Sequence, residues 1–216
     1  MKKLSPTELG ARLCDELQCV KCDEDKCLQL IADGADIHYH IDHLLDKPIF
    51  LATARGHDRV VRALIEKGVD VNEEDSPHRK QTPLQKSVVP SGCSFETIGF
   101  MLDKGANIDH QNIAGITALM IAARCKDKDL VRFLLDRGAD IHLATFDIHK
   151  TSGFKPQTAA DIADQKGYKD IADMIRYEEE RRIRAIFTPL ALAGTPRRRR
   201  IIRPAPKTGT KDKGPS

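Results

Sequence analysis

Aliphatic residues recur along the chain in short triplets, each followed at a fixed distance by glycine. Cys27, Leu30 and Ile31 precede Gly34; Val61, Leu64 and Ile65 precede Gly68; Ile98, Met101 and Leu102 precede Gly105; Val131, Leu134 and Leu135 precede Gly138. Spacings of three and four place each triplet on one face of a helix, so the pattern predicts four copies of one buried triad. The glycines lie 34, 37 and 33 residues apart. A period near 33 marks a stack of helical repeats, in which each unit buries its apolar face against its neighbours.

The first unit is expected to carry helices over Thr7–Gln18 and Glu24–Ala32. Later units open on related phrases: Lys47-Pro48-Ile49-Phe50, Gln81-Thr82-Pro83-Leu84-Gln85, Gly115-Ile116-Thr117-Ala118-Leu119 and Gln157-Thr158-Ala159-Ala160. Thr82, Thr117 and Thr158 read as helix N-caps, their hydroxyls accepting from the first helical turn. Proline beside a cap is tolerated because its missing N–H has no helical partner there. The repeated glycines read as left-handed helix ends. Arg176 falls in the slot held by Ile65, Leu102 and Leu135, which marks the last unit as a polar terminal cap.

These phrases resemble the ankyrin repeat, whose consensus runs G-x-T-P-L-H-x-A-A-x-x-G-H, then V-x-x-L-L-x-x-G-A-D-V-N. The resemblance covers about residues 7–176 and implies an all-α solenoid of about five helix-turn-helix units with short connectors. Units are expected at about 7–38, 39–72, 73–109, 110–142 and 143–176 within a repeat domain of residues 1–176. A helical extension over 177–188 and a disordered basic tail over 189–216 are expected to follow. The family also implies non-catalytic binding of a protein partner by a concave surface of connector tips and first-helix faces. Carried over by position, the candidate contacts are His43, Asp46 and Arg55 in the second unit and His78, Arg79 and Gln81 in the third. Ile113, Ile116 and Arg124 follow in the fourth, and Lys155 in the fifth.

Two units depart from the repeat. From Gly138 to the next helix start is 21 residues, against 13 to 15 for the other connectors. This long connector holds Phe146, Ile148, His149 and Phe154, and its aromatic residues either fold back over the stack or project as contact anchors. In the third unit, Val88-Val89-Pro90-Ser91-Gly92-Cys93-Ser94 replaces a shorter turn. There the first helix is expected to end at Pro90, and the extra residues read as a tolerated insertion rather than a site.

Composition changes the picture mainly at the C-terminus. Residues 177–216 carry 11 Lys and Arg against 4 Asp and Glu, while the preceding 176 carry 24 against 28. A mildly acidic body thus precedes a basic tail, in which Arg197, Arg198, Arg199, Arg200 and Arg203 concentrate the charge. Such a run serves as a solubility tail, a nuclear-targeting or protein contact, or a contact to nucleic acid or an acidic surface. It has no interleaved aromatic residues for base stacking.

Met1-Lys2-Lys3 is not followed by an apolar run, so action in the cytoplasm is expected, with the nucleus or a host cell as alternatives. No uncharged apolar stretch is long enough to span a membrane. Cys14, Cys19, Cys22 and Cys27 resemble iron–sulfur spacing at their first three positions. Cys14 and Cys27 fall on predicted helices, however, so reduced core or turn thiols are expected. No cofactor or metal is expected, no nucleophile sits beside an evident base, and phosphate-loop and zinc-protease signatures are absent. The reading is of a binding module, monomeric when unbound. The alternatives are a polyanion-associated regulator acting through the tail, or an effector acting in a host cell.

Overall fold

A computed structural model describes residues 4–19, 22–40, 47–148 and 153–193, with side chains through residue 185. Ten helices and no strands occupy these residues. They pair as α1 (Pro6–Gln18) with α2 (Glu24–Ala32), α3 (Pro48–Arg55) with α4 (Asp58–Glu66), and α5 (Pro83–Ser87) with α6 (Phe95–Asp103). The last two pairs are α7 (Ala118–Arg124) with α8 (Lys128–Asp136), and α9 (Ala159–Gln165) with α10 (Lys169–Ala193). First helices contact first helices down the stack, α1 to α3, α3 to α5, α5 to α7 and α7 to α9. Second helices α2, α4 and α6 form a parallel row.

The caps follow from local chemistry. Thr82, Thr117 and Thr158 accept hydrogen bonds from the backbone N–H groups of Gln85, Met120 and Asp161. Ser5 and Glu8 form a reciprocal capping box that starts α1 one residue before the expected position. Gly34, Gly68, Gly105 and Gly138 all adopt positive φ at the second-helix ends.

One continuous core runs through the pairs. All four triads are buried except Leu102, which packs half-buried at the edge of the core. Arg176 lies exposed in the corresponding slot of α10 and pairs with Asp164 and Asp173. In the third pair α5 stops at Ser87, three residues before Pro90. Proline disfavours helical geometry at the preceding Val89, and Gly92 N–H turns back onto the Val89 carbonyl at 2.8 Å.

The chain divides into units Met1–Glu180 and Arg181–Ser216. Helix α10 continues through Ala193, past Pro189, where the sequence pattern places the start of a disordered tail. Leu190, Ala191, Leu192 and Ala193 are good helix formers, which the Pro/Arg composition of the longer stretch obscures.

Cys14, Cys27 and Cys93 are buried, and Cys19 is exposed. Burial pushes the Cys27 and Cys93 thiols well above the ordinary range. Iodoacetamide at neutral pH is therefore expected to alkylate Cys19 first, with Cys27 and Cys93 protected until the chain unfolds. Peptide mass spectrometry over a time course checks this, and early labelling of Cys27 or Cys93 would contradict the packing described.

Candidate functional site

Three successive connectors form a ladder. In the first, Asp75 N–H donates to the Gln81 carbonyl at 2.9 Å, and Gln81 N–H returns to Asp75 Oδ1 at 3.0 Å. This closes a loop whose tip is Ser76-Pro77-His78-Arg79-Lys80. Buried Asp75 also meets Lys86 Nζ at 3.0 Å, so the base of the loop is held electrostatically to α5. In the second, Asn112 Oδ1 accepts from the N–H groups of Ala114 and Ile116, both at 3.0 Å. The tip is Ile113-Ala114-Gly115. In the third, Thr145 and Gln157 exchange two 3.0 Å hydrogen bonds that pin the base of the long loop.

Neighbouring tips are joined through the backbone. Ile113 N–H donates to the Arg79 carbonyl at 3.2 Å, and Phe146 N–H donates to the Ala114 carbonyl at 2.8 Å. Gln85, buried in α5, adds side-chain bonds to the carbonyls of His110 and Ile116 at 2.9 and 2.7 Å. Gly115 has φ of 74°, and a Cβ there would lie 2.7 Å from the Phe146 nitrogen. Only glycine therefore allows the second and third connectors to approach so closely.

The tips carry an apolar surface. Phe146 is 50% exposed, Ile148 49%, and Ile113 and Phe154 are exposed as well. Leu143, at the root of the long connector, packs on the core instead. Phe146 and Phe154, the two aromatic residues of the long connector, are both exposed. His78, Arg79 and Lys155 are exposed around this surface, and Ile116 and Gln81 are half-buried beneath it. Arg124 is exposed at the end of α7.

Arg55 has a different employment. Its guanidinium donates to the carbonyl of Gln18 at 2.7 Å and reaches that of Cys19 at 3.4 Å, closing the C-terminus of α1. It joins the first two units, and Arg55 as a whole remains exposed. His43, Asp46, His149 and the tail arginines 197–200 and 203 lie outside the described residues.

The position four residues after each repeat glycine links neighbouring connectors where it holds an amide or carboxylate. Asn72 bonds both Gly105 O and Asn107 N, and Asp109 accepts from Asp140 N at 2.7 Å. His142, in the same slot, lies within 3.9 Å of Glu179. No cluster of metal-ligating side chains occurs among the described residues. Cys22 and Cys27 sulfurs stand 3.6 Å apart, but they lack the further donors a metal needs. No helix among the described residues is long and apolar enough to cross a membrane.

Comparison with known proteins agrees with this architecture. The family model for ankyrin repeats, in three copies, matches residues 17–112, 49–145 and 89–183. The chain belongs to the ankyrin repeat family, whose repeats are generally protein-interaction modules. An ankyrin repeat protein of Acanthamoeba polyphaga mimivirus is 32% identical over 130 residues, covering 56% of this chain and 80% of that protein. One from fowlpox virus is 30% identical over 137 residues, covering 63% of this chain and 38% of that protein. A mouse serine/threonine-protein kinase is 36% identical over 88 residues, which is 40% of this chain and 11% of the kinase. The similarity to that enzyme is thus confined to a small part of it.

Proposed function

We propose that this protein is a non-catalytic adaptor or inhibitor that holds a protein partner on its connector ladder. The observation that carries this reading is the joining of two adjacent tips, which carry exposed Ile113, Phe146 and Ile148, by the Phe146-to-Ala114 hydrogen bond. Exposed aromatic anchors on a rigid support lose little conformational freedom on binding and are frequent hot spots. Arg79 and Lys80, which pair with Asp75 and Glu74, give the tips a charged rim of both signs, which favours a partner with an apolar ridge and a polar border. Action in the cytoplasm, or in the nucleus through Arg197–Arg200, is part of the same proposal.

The test is affinity capture and subsequent titration of the captured partner. Phe146→Ala with Phe154→Ala is expected to weaken binding by a factor of ten or more, corresponding to about 1.4 kcal/mol or above. Because both rings are exposed, the melting temperature is expected to stay nearly unchanged. Equal binding by the variant would sink the connector reading. Removal of residues 196–216 serves as the second arm: a partner that survives it is held by the repeats. One lost with the tail, and released steeply by salt, is a polyanion.

A further inference from the structure

The turn from α1 into α2 sets two thiols in contact. Helix α2 is capped by Asp23, whose side chain accepts from the N–H groups of Asp25 and Lys26. The residue before a cap and the fourth residue inside the helix commonly pack together and fix the angle at which the chain enters. Here those two residues are Cys22 and Cys27. Their sulfurs lie 3.6 Å apart, with Cys27 buried and Cys22 half-buried. The corresponding pairs at α4, α6 and α8 are Gly56 with Val61, Cys93 with Ile98, and Lys126 with Val131. Packing at the inner position is therefore served by valine or isoleucine, and of these four pairs only the first is made of two thiols.

The turn is held at both ends. Asp23 N–H donates to Glu16 Oε1 at 3.2 Å, and the Glu16 carboxylate also pairs with Lys26. At its start, Arg55 of the second unit donates to the carbonyls of Gln18 and Cys19. The sulfurs thus stay together without a covalent link. A disulfide bond is about 2.0 Å long, so closure asks for an approach of about 1.6 Å, which falls to the Cys22 side chain because it lies outside the helix.

We propose that Cys22 and Cys27 form a reversible disulfide that makes the contact at the start of α2 covalent under oxidising conditions. The oxidant is a small-molecule disulfide of the glutathione type. Cys22, the more accessible thiol, attacks one sulfur of that disulfide as its thiolate; the S–S bond breaks, and the departing glutathione takes up the proton that Cys22 lost. Cys27 then gives up its proton and attacks the Cys22 sulfur, and the second glutathione leaves with that proton. Two protein thiols are oxidised and one small disulfide is reduced to two thiols, so electrons and protons balance. Burial, with Glu16, Glu24 and Asp23 close by, pushes the Cys22 thiol up, and burial does the same to Cys27. Few thiolates are available, so the first exchange is slow. The second is fast, because its thiol is already in contact. Such a pair records a sustained change of redox state rather than a brief one. Its effect falls on the end of the stack, where a unit rests on one neighbour only and opens before the inner ones.

The experiment equilibrates the full chain in glutathione buffers of rising oxidised fraction, quenches with acid and maps disulfides by tryptic mass spectrometry. Trypsin cuts after Lys21 and Lys26, so a Cys22–Cys27 bridge joins two peptides and is distinct from any bridge to Cys14 or Cys19. That cross-link is expected to appear as the oxidised fraction rises and to vanish with dithiothreitol. Amide exchange over α2 is expected to slow about tenfold or more in the bridged form. Cys27→Val introduces the residue of the second and fourth units; it should melt as the parent does and show neither bridge nor slowing. Cys22→Ser, at the half-buried position, should behave likewise. The proposal is overturned if oxidation joins Cys19 to Cys22 instead, or leaves glutathione on Cys22 at every buffer composition. It is equally overturned if bridged and reduced chains exchange alike over α2.

Discussion

Phe50→Ala is expected to lower the free energy of unfolding by about 3–5 kcal/mol, the range for deleting a phenylalanine from a packed core. Phe50 heads the largest fully buried side chains and sits in α3, which touches α1, α4 and α5. Its removal leaves a hole that three helices border, and none can close it without leaving another partner. The ring also supports Lys86, whose ammonium lies 5.9 Å from the ring centroid and bonds Asp75 at the base of the connector tipped by His78. The damage should therefore reach the ladder as well as the core. Urea unfolding followed by circular dichroism measures the first effect, and amide exchange at Asp75–Gln81 the second. A loss below about 1 kcal/mol would mean that the site collapses freely and that the described packing is wrong.

The position of Phe50 shows how a repeat stack makes such losses travel. The equivalent slots hold Gln85, Met120 and Asp161. Gln85 spends its amide on the connector tipped by Ile113, Met120 is buried as a plain core residue, and Asp161 closes a capping box in the last unit. The Thr158 N–H and hydroxyl hold the Asp161 carboxyl below the usual range. One slot thus passes from core to linker to core to solvent-facing cap. Because each unit rests only on its neighbours, a defect in α3 is felt by the first and third units before the fourth and fifth.

Residues with a fixed spacing or a special backbone demand could be read from the sequence. The four glycines, the aliphatic triads and the threonine caps recur in register, and each recurrence has a local cause that owes nothing to the rest of the fold. What stayed hidden depends on main-chain atoms brought together across units. The part Arg55 plays in joining two units was not legible, because nothing in a sequence announces that the α1 carbonyls at Gln18 and Cys19 will lie beneath its guanidinium. The exposure of Phe146 beside the Thr145–Gln157 clasp depends on a pair of residues twelve positions apart in the chain.

The third unit's extra residues, which read from sequence as a tolerated insertion, carry the second large prediction. Gly92→Ala is expected to cost about 2–3 kcal/mol, at the upper part of the range for overpacking. A Cβ at Gly92 would stand 2.6 Å from the Ser87 carbonyl carbon and closer still to its oxygen, both backbone atoms at the end of α5. Neither can rotate away, so the 88–94 turn must shift as a body. That turn is tied to the preceding unit: Ser91 Oγ donates to the Ala54 carbonyl at 3.1 Å, and Ser94 N–H donates to Asp58 Oδ1 at 3.1 Å. Moving it strains both bonds and the approach of Gly56, whose own Cβ position lies 2.5 Å from the Gly92 carbonyl oxygen. Gly68→Ala supplies the comparison. It has φ of 102° but no atom within 4 Å of its Cβ position, so it should cost only the conformational strain, about 1–2 kcal/mol. If Gly92→Ala proves milder than Gly68→Ala in matched urea titrations, the turn is pliable and the insertion is slack after all. If it is the harsher of the two, the inserted residues act as a clasp between the second and third units.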